Sequence, residues 1–170
     1  MECSAYINRP PQGVSAEIVV AGFGSPHGDD QAGWRVVELL QRRPNLPARL
    51  AKIAEGTQLI DELAGCGRLI VVDACRGGTD LGAVTRFEWP DARVRTYHSH
   101  STHGVGLCNA LDLAARLGSL PPEVEVFGIE IGDVRPLDGL TAEVARAAAA
   151  LEEVLFGEIC EDRYARAVVG

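Results

Sequence analysis

Two carboxylates and one imidazole lie beyond the ends of predicted strands, where α/β proteins gather their catalytic and metal-binding groups. Asp30 follows the first predicted strand after a glycine-rich turn, and Asp73 ends an apolar run. His103 opens a predicted helix. This oxygen and nitrogen donor set suits Zn, Ni, Mn or Fe and leaves positions for water or a substrate group. Together the three residues predict a divalent metal site, although each alone is also consistent with a helix cap or a loop contact.

The turn that contains Asp30 runs from Gly22 to Gly33 and reads GFGSPHGDDQAG. A glycine-rich turn between a strand and a helix normally binds phosphate through free backbone N–H groups and the helix dipole. Here Asp29 and Asp30 would repel a pyrophosphate, and His27 occupies the third glycine position of a G-x-G-x-x-G fingerprint. The turn therefore favours a cation or acid/base chemistry over a nucleotide.

Five other residues are weaker candidates for the same site. His98 and His100 alternate in an extended stretch, so both rings can point the same way, but a solvated loop explains them as well. His27 is near the same edge and also suits a plain turn. Cys75 and Cys108 could tune a metal or catalyse, although such cysteines are more often inert core residues.

The composition describes an acidic globular protein of 170 residues with a net charge of −8. This charge, without any Lys/Arg run, argues against nucleic acid and anionic membranes as partners. No apolar run is long enough to span a membrane, and the first residues lack a signal-peptide pattern, so we expect a cytoplasmic protein. The five cysteines form no C-x-x-C pair, which indicates reduced thiols.

Apolar periodicity predicts alternating strands and helices. The predicted strands are Glu17–Phe23, Arg49–Glu55, Arg68–Ala74, Ala83–Trp89 and Glu123–Ile131. The predicted helices are Gln31–Arg43, Thr57–Gly65, His103–Gly118 and Thr141–Phe156, with Thr57 and Thr141 as N-caps. This alternation with short connections predicts an α/β sheet covered on both faces.

The chain divides into one domain and two flanking segments. Residues 1–16 carry two prolines and little periodicity, which predicts a loose N-terminal extension outside the core. Residues 17–157 form the single predicted α/β domain. Residues 158–170 lose the helical pattern, so we expect a C-terminal tail.

Four segments, in order, resemble the maturation endopeptidases of [NiFe] hydrogenases. They are the turn Gly22–Gly33, the strand end Val72-Asp73-Ala74, the helix start His103–Leu107 and the stretch Phe127–Glu130. The resemblance runs from about Ile18 to Leu155. The sequence departs from the family at Ser25, where Asn is usual, in a loop at residues 26–28 that looks shorter, and at Gln31-Ala32.

The resemblance implies a three-layer α/β/α fold with a five-stranded, mostly parallel twisted sheet. It also implies that Asp30, Asp73 and His103 bind nickel and form the catalytic site. Family members remove a C-terminal extension from the hydrogenase large-subunit precursor once its nickel is inserted, so the metal can come from the substrate. Zinc or another divalent cation is a further possibility in vitro.

The sequence therefore predicts a metal-dependent endopeptidase. A divalent ion at the three residues would polarise the scissile carbonyl or a water molecule, and Asp29 is a conceivable base unless it caps a helix. One alternative is a protein that binds or senses nickel without cutting. Another is a nucleotide-binding α/β domain that uses the Gly22-Phe23-Gly24 turn.

Overall fold

The computed structural model describes residues 17–97, 106–132, 134 and 139–169, with side chains as far as residue 162. Within these residues the chain forms five strands and five α-helices. The strands are β1 (Glu17–Phe23), β2 (Arg49–Ile53), β3 (Cys66–Cys75), β4 (Val84–Glu88) and β5 (Glu123–Glu130). The helices are α1 (Ala32–Leu40), α2 (Gln58–Glu62), α3 (Ala92–Tyr97), α4 (Leu107–Arg116) and α5 (Ala142–Val169). A short 3-10 helix, Gly28–Gln31, precedes α1.

The strands form one sheet in the order β2-β1-β3-β5-β4. All neighbours pair in parallel except β4, which runs antiparallel to β5. The chain leaves β1 to one side to form β2 and then returns to the other side to form β3. This reversal creates a crevice beyond the carboxyl ends of β1 and β3, where ligands bind in open α/β sheets.

Each face of the sheet is covered by its own helices, because successive strand residues point to opposite faces. Val19, Ala21 and Val71 pack on one face with the apolar sides of α2, α3 and α4. Val20 and Val72 pack on the other face with those of α1 and α5. The predicted three-layer α/β/α fold with a mostly parallel five-stranded sheet is confirmed.

The C-terminal tail predicted from residue 158 is wrong, because α5 continues to Val169. Ile159 is fully buried in the core. Glu158 forms an ion pair with Arg86 of β4 at 2.9 Å, and Asp162 forms one with Arg68 of β3 at 3.4 Å. Charged residues thus replace apolar ones on the buried side of the helix, which is why the helical pattern fades in the sequence.

Three smaller differences concern helix starts and an unpredicted helix. Helix α4 begins at Leu107 after an extended Gly106, so the predicted start at His103 is too early. Helix α3 has no counterpart among the predicted elements. Thr57 stands at the N-cap of α2 but makes no side-chain capping bond. Thr141 does cap its helix, because its hydroxyl accepts a bond from the Val144 N–H at 3.4 Å.

The N-terminal extension predicted for residues 1–16 lies outside the described residues. Among the described helices, none combines the length and the apolar character needed to cross a membrane.

Candidate active site

The turn that carries Asp30 is folded tightly against the ends of β1 and β3. A Cβ on Gly33 would lie 2.3 Å from the Phe23 carbonyl oxygen and 2.4 Å from that of Val72. A Cβ on Gly24 would lie 2.4 Å from the Asp30 carbonyl oxygen. Only glycine fits at such distances, so these residues let α1 begin directly over the two central strands.

Asp30 lies in the 3-10 helix at this crevice and is partly buried. Its N–H donates to the carbonyl of His27 at 3.1 Å, and its own carbonyl accepts from the Ser25 N–H at 3.3 Å. Nδ1 of His27 is buried and has no hydrogen-bond partner among the residues that the structure describes. The backbone of the turn is therefore fixed on both sides of Asp30.

Asp73 lies near the carboxyl end of β3, beside Gly128 of β5, and is also partly buried. Its neighbour Val72 pairs with Gly22, the first glycine of the turn. The 3-10 helix of Asp30 contacts β3 directly. The structure thus brings Asp30 and Asp73 to the same edge of the sheet, as the sequence predicted.

His103 lies outside the described residues, as do His98 and His100. Gly106, three residues after His103, begins the described part of this connection at the N-terminus of α4. Among the residues described, no group of three or more His, Cys, Asp or Glu side chains is close enough to hold a metal ion. The two partly buried carboxylates supply the oxygen donors of the predicted metal site. A site formed by Asp30, Asp73 and His103 together stays a prediction.

Asp29 differs sharply from its neighbour, because its side chain is buried and only 2% exposed. One carboxylate oxygen accepts from the Thr141 N–H at 2.6 Å and the other accepts from the Thr141 hydroxyl at 3.1 Å. Asp29 therefore ties the acidic turn to the start of α5. Because both carboxylate oxygens are engaged by Thr141, Asp29 is not suited to act as a general base. Instead it caps the start of α5, which is distant in sequence.

Asp29→Asn is expected to lower the free energy of unfolding by about 2 kcal/mol, because the amide has one acceptor oxygen where the carboxylate has two and loses its charge. Thermal and urea unfolding measure this loss. The matched control is Glu55→Gln, which changes an exposed carboxylate and should alter stability by less than about 0.5 kcal/mol. Equal stability of the two variants would contradict the anchoring role.

The cysteines near the site are not activated. Burial, together with the nearby charges of Glu130 and Asp73, raises the pKa of the Cys75 thiol to about 12. Burial also raises the pKa of Cys108. A nucleophilic cysteine reacts as its thiolate and needs a lowered pKa, so both residues agree with the inert packing alternative.

Glu130 is a buried carboxylate at the same edge, and sequence reasoning gave it no role. It is 5% exposed and accepts bonds from the connection that follows β3. The available signal was its position at the end of a buried strand, where an acid is unusual.

Comparison with known proteins identifies the family. Residues 34–158 match the family model described as hydrogenase maturation protease. The chain belongs to the hydrogenase maturation protease family. The matched range contains Asp73 and begins just after Asp30.

Two relatives support membership of this protease family. A hydrogenase expression/formation protein, HupD of Thiocapsa roseopersicina, is 32% identical over 67% of this chain and 54% of its own length. The chain thus spans about half the length of that relative. A Methanocaldococcus jannaschii protein named for the same protease family is 30% identical over 84% of this chain and 96% of its own length.

Solved structures show the same fold. The hydrogenase maturating endopeptidase HybD from E. coli superposes with a TM-score of 0.73, covering 86% of this chain and 93% of that chain at 24% identity. The solution structure of an endopeptidase from Escherichia coli has a TM-score of 0.69 at 28% identity, covering 82% of this chain and 90% of the other. The hydrogenase maturation protease fold therefore extends over most of the chain.

Proposed function

We propose that this protein is an endopeptidase that removes a C-terminal extension from the nickel-loaded large-subunit precursor of a [NiFe] hydrogenase. The observation that carries the proposal is the position of Asp30 and Asp73 at the same edge of the sheet, beyond β1 and near the end of β3. Membership of the hydrogenase maturation protease family supports the reaction class. As expected from the sequence, we propose that the reaction takes place in the cytoplasm.

In this proposal Asp30, Asp73 and His103 bind the nickel of the precursor. Nickel is then part of the substrate, and binding it orients the scissile peptide over the crevice. A divalent cation held there polarises a carbonyl or lowers the pKa of water, which is the chemistry that peptide hydrolysis needs. The two aspartates contribute negative charge that favours the cation, while Asp29 holds the turn of Asp30 in place through Thr141.

The test is mass spectrometry of the precursor's C-terminus after incubation with the wild-type protein. Nickel-loaded precursor should lose its extension, and metal-free precursor should stay intact. Zinc-loaded precursor tests whether another divalent cation can replace nickel. Equal processing of the metal-free precursor would contradict recognition of nickel. No processing of any precursor, together with retained nickel binding, would favour a protein that binds or senses nickel without cutting.

A further inference from the structure

The connection that follows Asp73 forms an exposed loop beside the proposed site. Residues 76–80, named here the rim loop, leave the carboxyl end of β3 just after Cys75. All five of these residues are exposed. Gly78 has a φ of +81°, a conformation that favours glycine. The rim loop is thus a specifically shaped backbone at the edge of the sheet that carries Asp30 and Asp73.

The side chain of Glu130, at the end of β5, holds the rim loop from below. One carboxylate oxygen accepts from the Gly77 N–H at 2.8 Å and from the Thr79 hydroxyl at 3.1 Å. The other oxygen accepts from the Gly78 N–H at 2.9 Å. The Cys75 thiol lies 3.8 Å from the first oxygen. Three of these four donors belong to the rim loop.

The backbone of Glu130 fixes the far end of the same connection. Its carbonyl accepts from the Gly82 N–H at 2.9 Å, and its N–H donates to the Ala83 carbonyl at 2.8 Å. A single residue therefore sets both the shape of the rim loop and its entry into β4.

A buried carboxylate is costly when only neutral groups bind it, because desolvation strongly disfavours the charged form. Among the described residues, the groups that donate hydrogen bonds to the Glu130 carboxylate are two backbone amides, a hydroxyl and a thiol, all of them neutral. If this position only had to fill the core, an apolar residue would do so without the desolvation cost of a carboxylate. The specific gain from the carboxylate is the fixed rim loop.

We infer that Glu130 is a positioning residue that holds the rim loop as one wall of the groove for the precursor's extended C-terminal segment. This inference rests on the proposed function. Glu130 does not contact the scissile bond, so its effect is on the affinity for the precursor. A preformed wall avoids the cost of ordering five exposed residues when the precursor binds.

The test is the variant Glu130→Gln, which keeps the side-chain volume but turns one acceptor oxygen into an N–H donor. That donor would face the Gly77 N–H or the Gly78 N–H, depending on which oxygen it replaces. Hydrogen exchange should show loss of protection at the Gly77 and Gly78 amides. For the nickel-loaded precursor we expect KM to rise at least about tenfold while kcat changes less than about threefold.

Two further comparisons separate positioning from stability. Glu152→Gln changes an equally buried carboxylate on α5, whose partner is Arg43 at 2.7 Å. It should lower the melting temperature without changing KM. Thr79→Val removes one bond at an exposed position and should raise KM about threefold at unchanged melting temperature, whereas Thr79→Ser should restore the wild-type value.

The outcomes separate this inference from the proposed function. If wild-type protein processes the precursor but Glu130→Gln and Thr79→Val keep its KM, the positioning role is wrong and the proposed function stands. If KM rises equally in Glu152→Gln, the effect reflects stability and the inference is again overturned. If wild-type protein processes no precursor, the proposed function fails and the inference fails with it.

Discussion

Alanine in place of Asp30 or Asp73 is expected to reduce processing of the nickel-loaded precursor at least a hundredfold while the fold stays intact. Loss of even a residue that supports a metal ligand typically lowers activity about 10- to 100-fold, so loss of a ligand should cost more. Both side chains are only partly buried and lie outside the two apolar clusters. The measurements are mass spectrometry of the precursor over time and thermal unfolding of each variant.

The matched control for these variants is Asp61→Ala, which removes an exposed carboxylate of α2. It should process the precursor at the wild-type rate. Calorimetric titration with nickel gives an independent reading, in which His103→Ala, Asp30→Ala and Asp73→Ala should all weaken binding. Unchanged nickel affinity in all three, or full processing by Asp30→Ala, would contradict a site shared by these residues.

The sheet and most of its helices follow from periodicity alone. Buried parallel strands are nearly continuous apolar runs, such as Leu69–Val72 in β3, and are easily recognised. The convergence of Asp30 and Asp73 also follows, because parallel strands place their carboxyl ends at one edge. The antiparallel direction of β4 has no such signature, since it depends on the register with β5.

Other features depend on contacts between residues that are distant in sequence. Nothing in the pair Asp29-Asp30 shows which acid is buried, because the difference is made by Thr141. The roles of Glu130 and of the last turns of α5 are hidden for the same reason. Their partners, the rim loop for Glu130 and Arg68 and Arg86 for α5, are known only once the strands are adjacent.

Gly33→Ala is expected to lower the free energy of unfolding by at least about 3 kcal/mol, although alanine is the better helix former. The added Cβ would lie 2.3 Å and 2.4 Å from the carbonyl oxygens of Phe23 and Val72. These atoms are backbone of two central strands, so α1 must move away from the sheet. Gly33 follows Asp30 by three residues and Val72 precedes Asp73. The same displacement should therefore separate the two acids and reduce processing.

The matched control for this glycine is Gly157→Ala in α5, where an added Cβ meets no atom of another described element within 4 Å. The same substitution should there stabilise the protein by up to about 1 kcal/mol through helix propensity. For a domain of this size, the Gly33 variant should melt roughly 10 °C below the wild type, and the Gly157 variant at or slightly above it. Melting of Gly33→Ala at the wild-type temperature would show that α1 is not held against β1 and β3 by this close contact, and the fixed spacing of Asp30 and Asp73 would lose its structural basis.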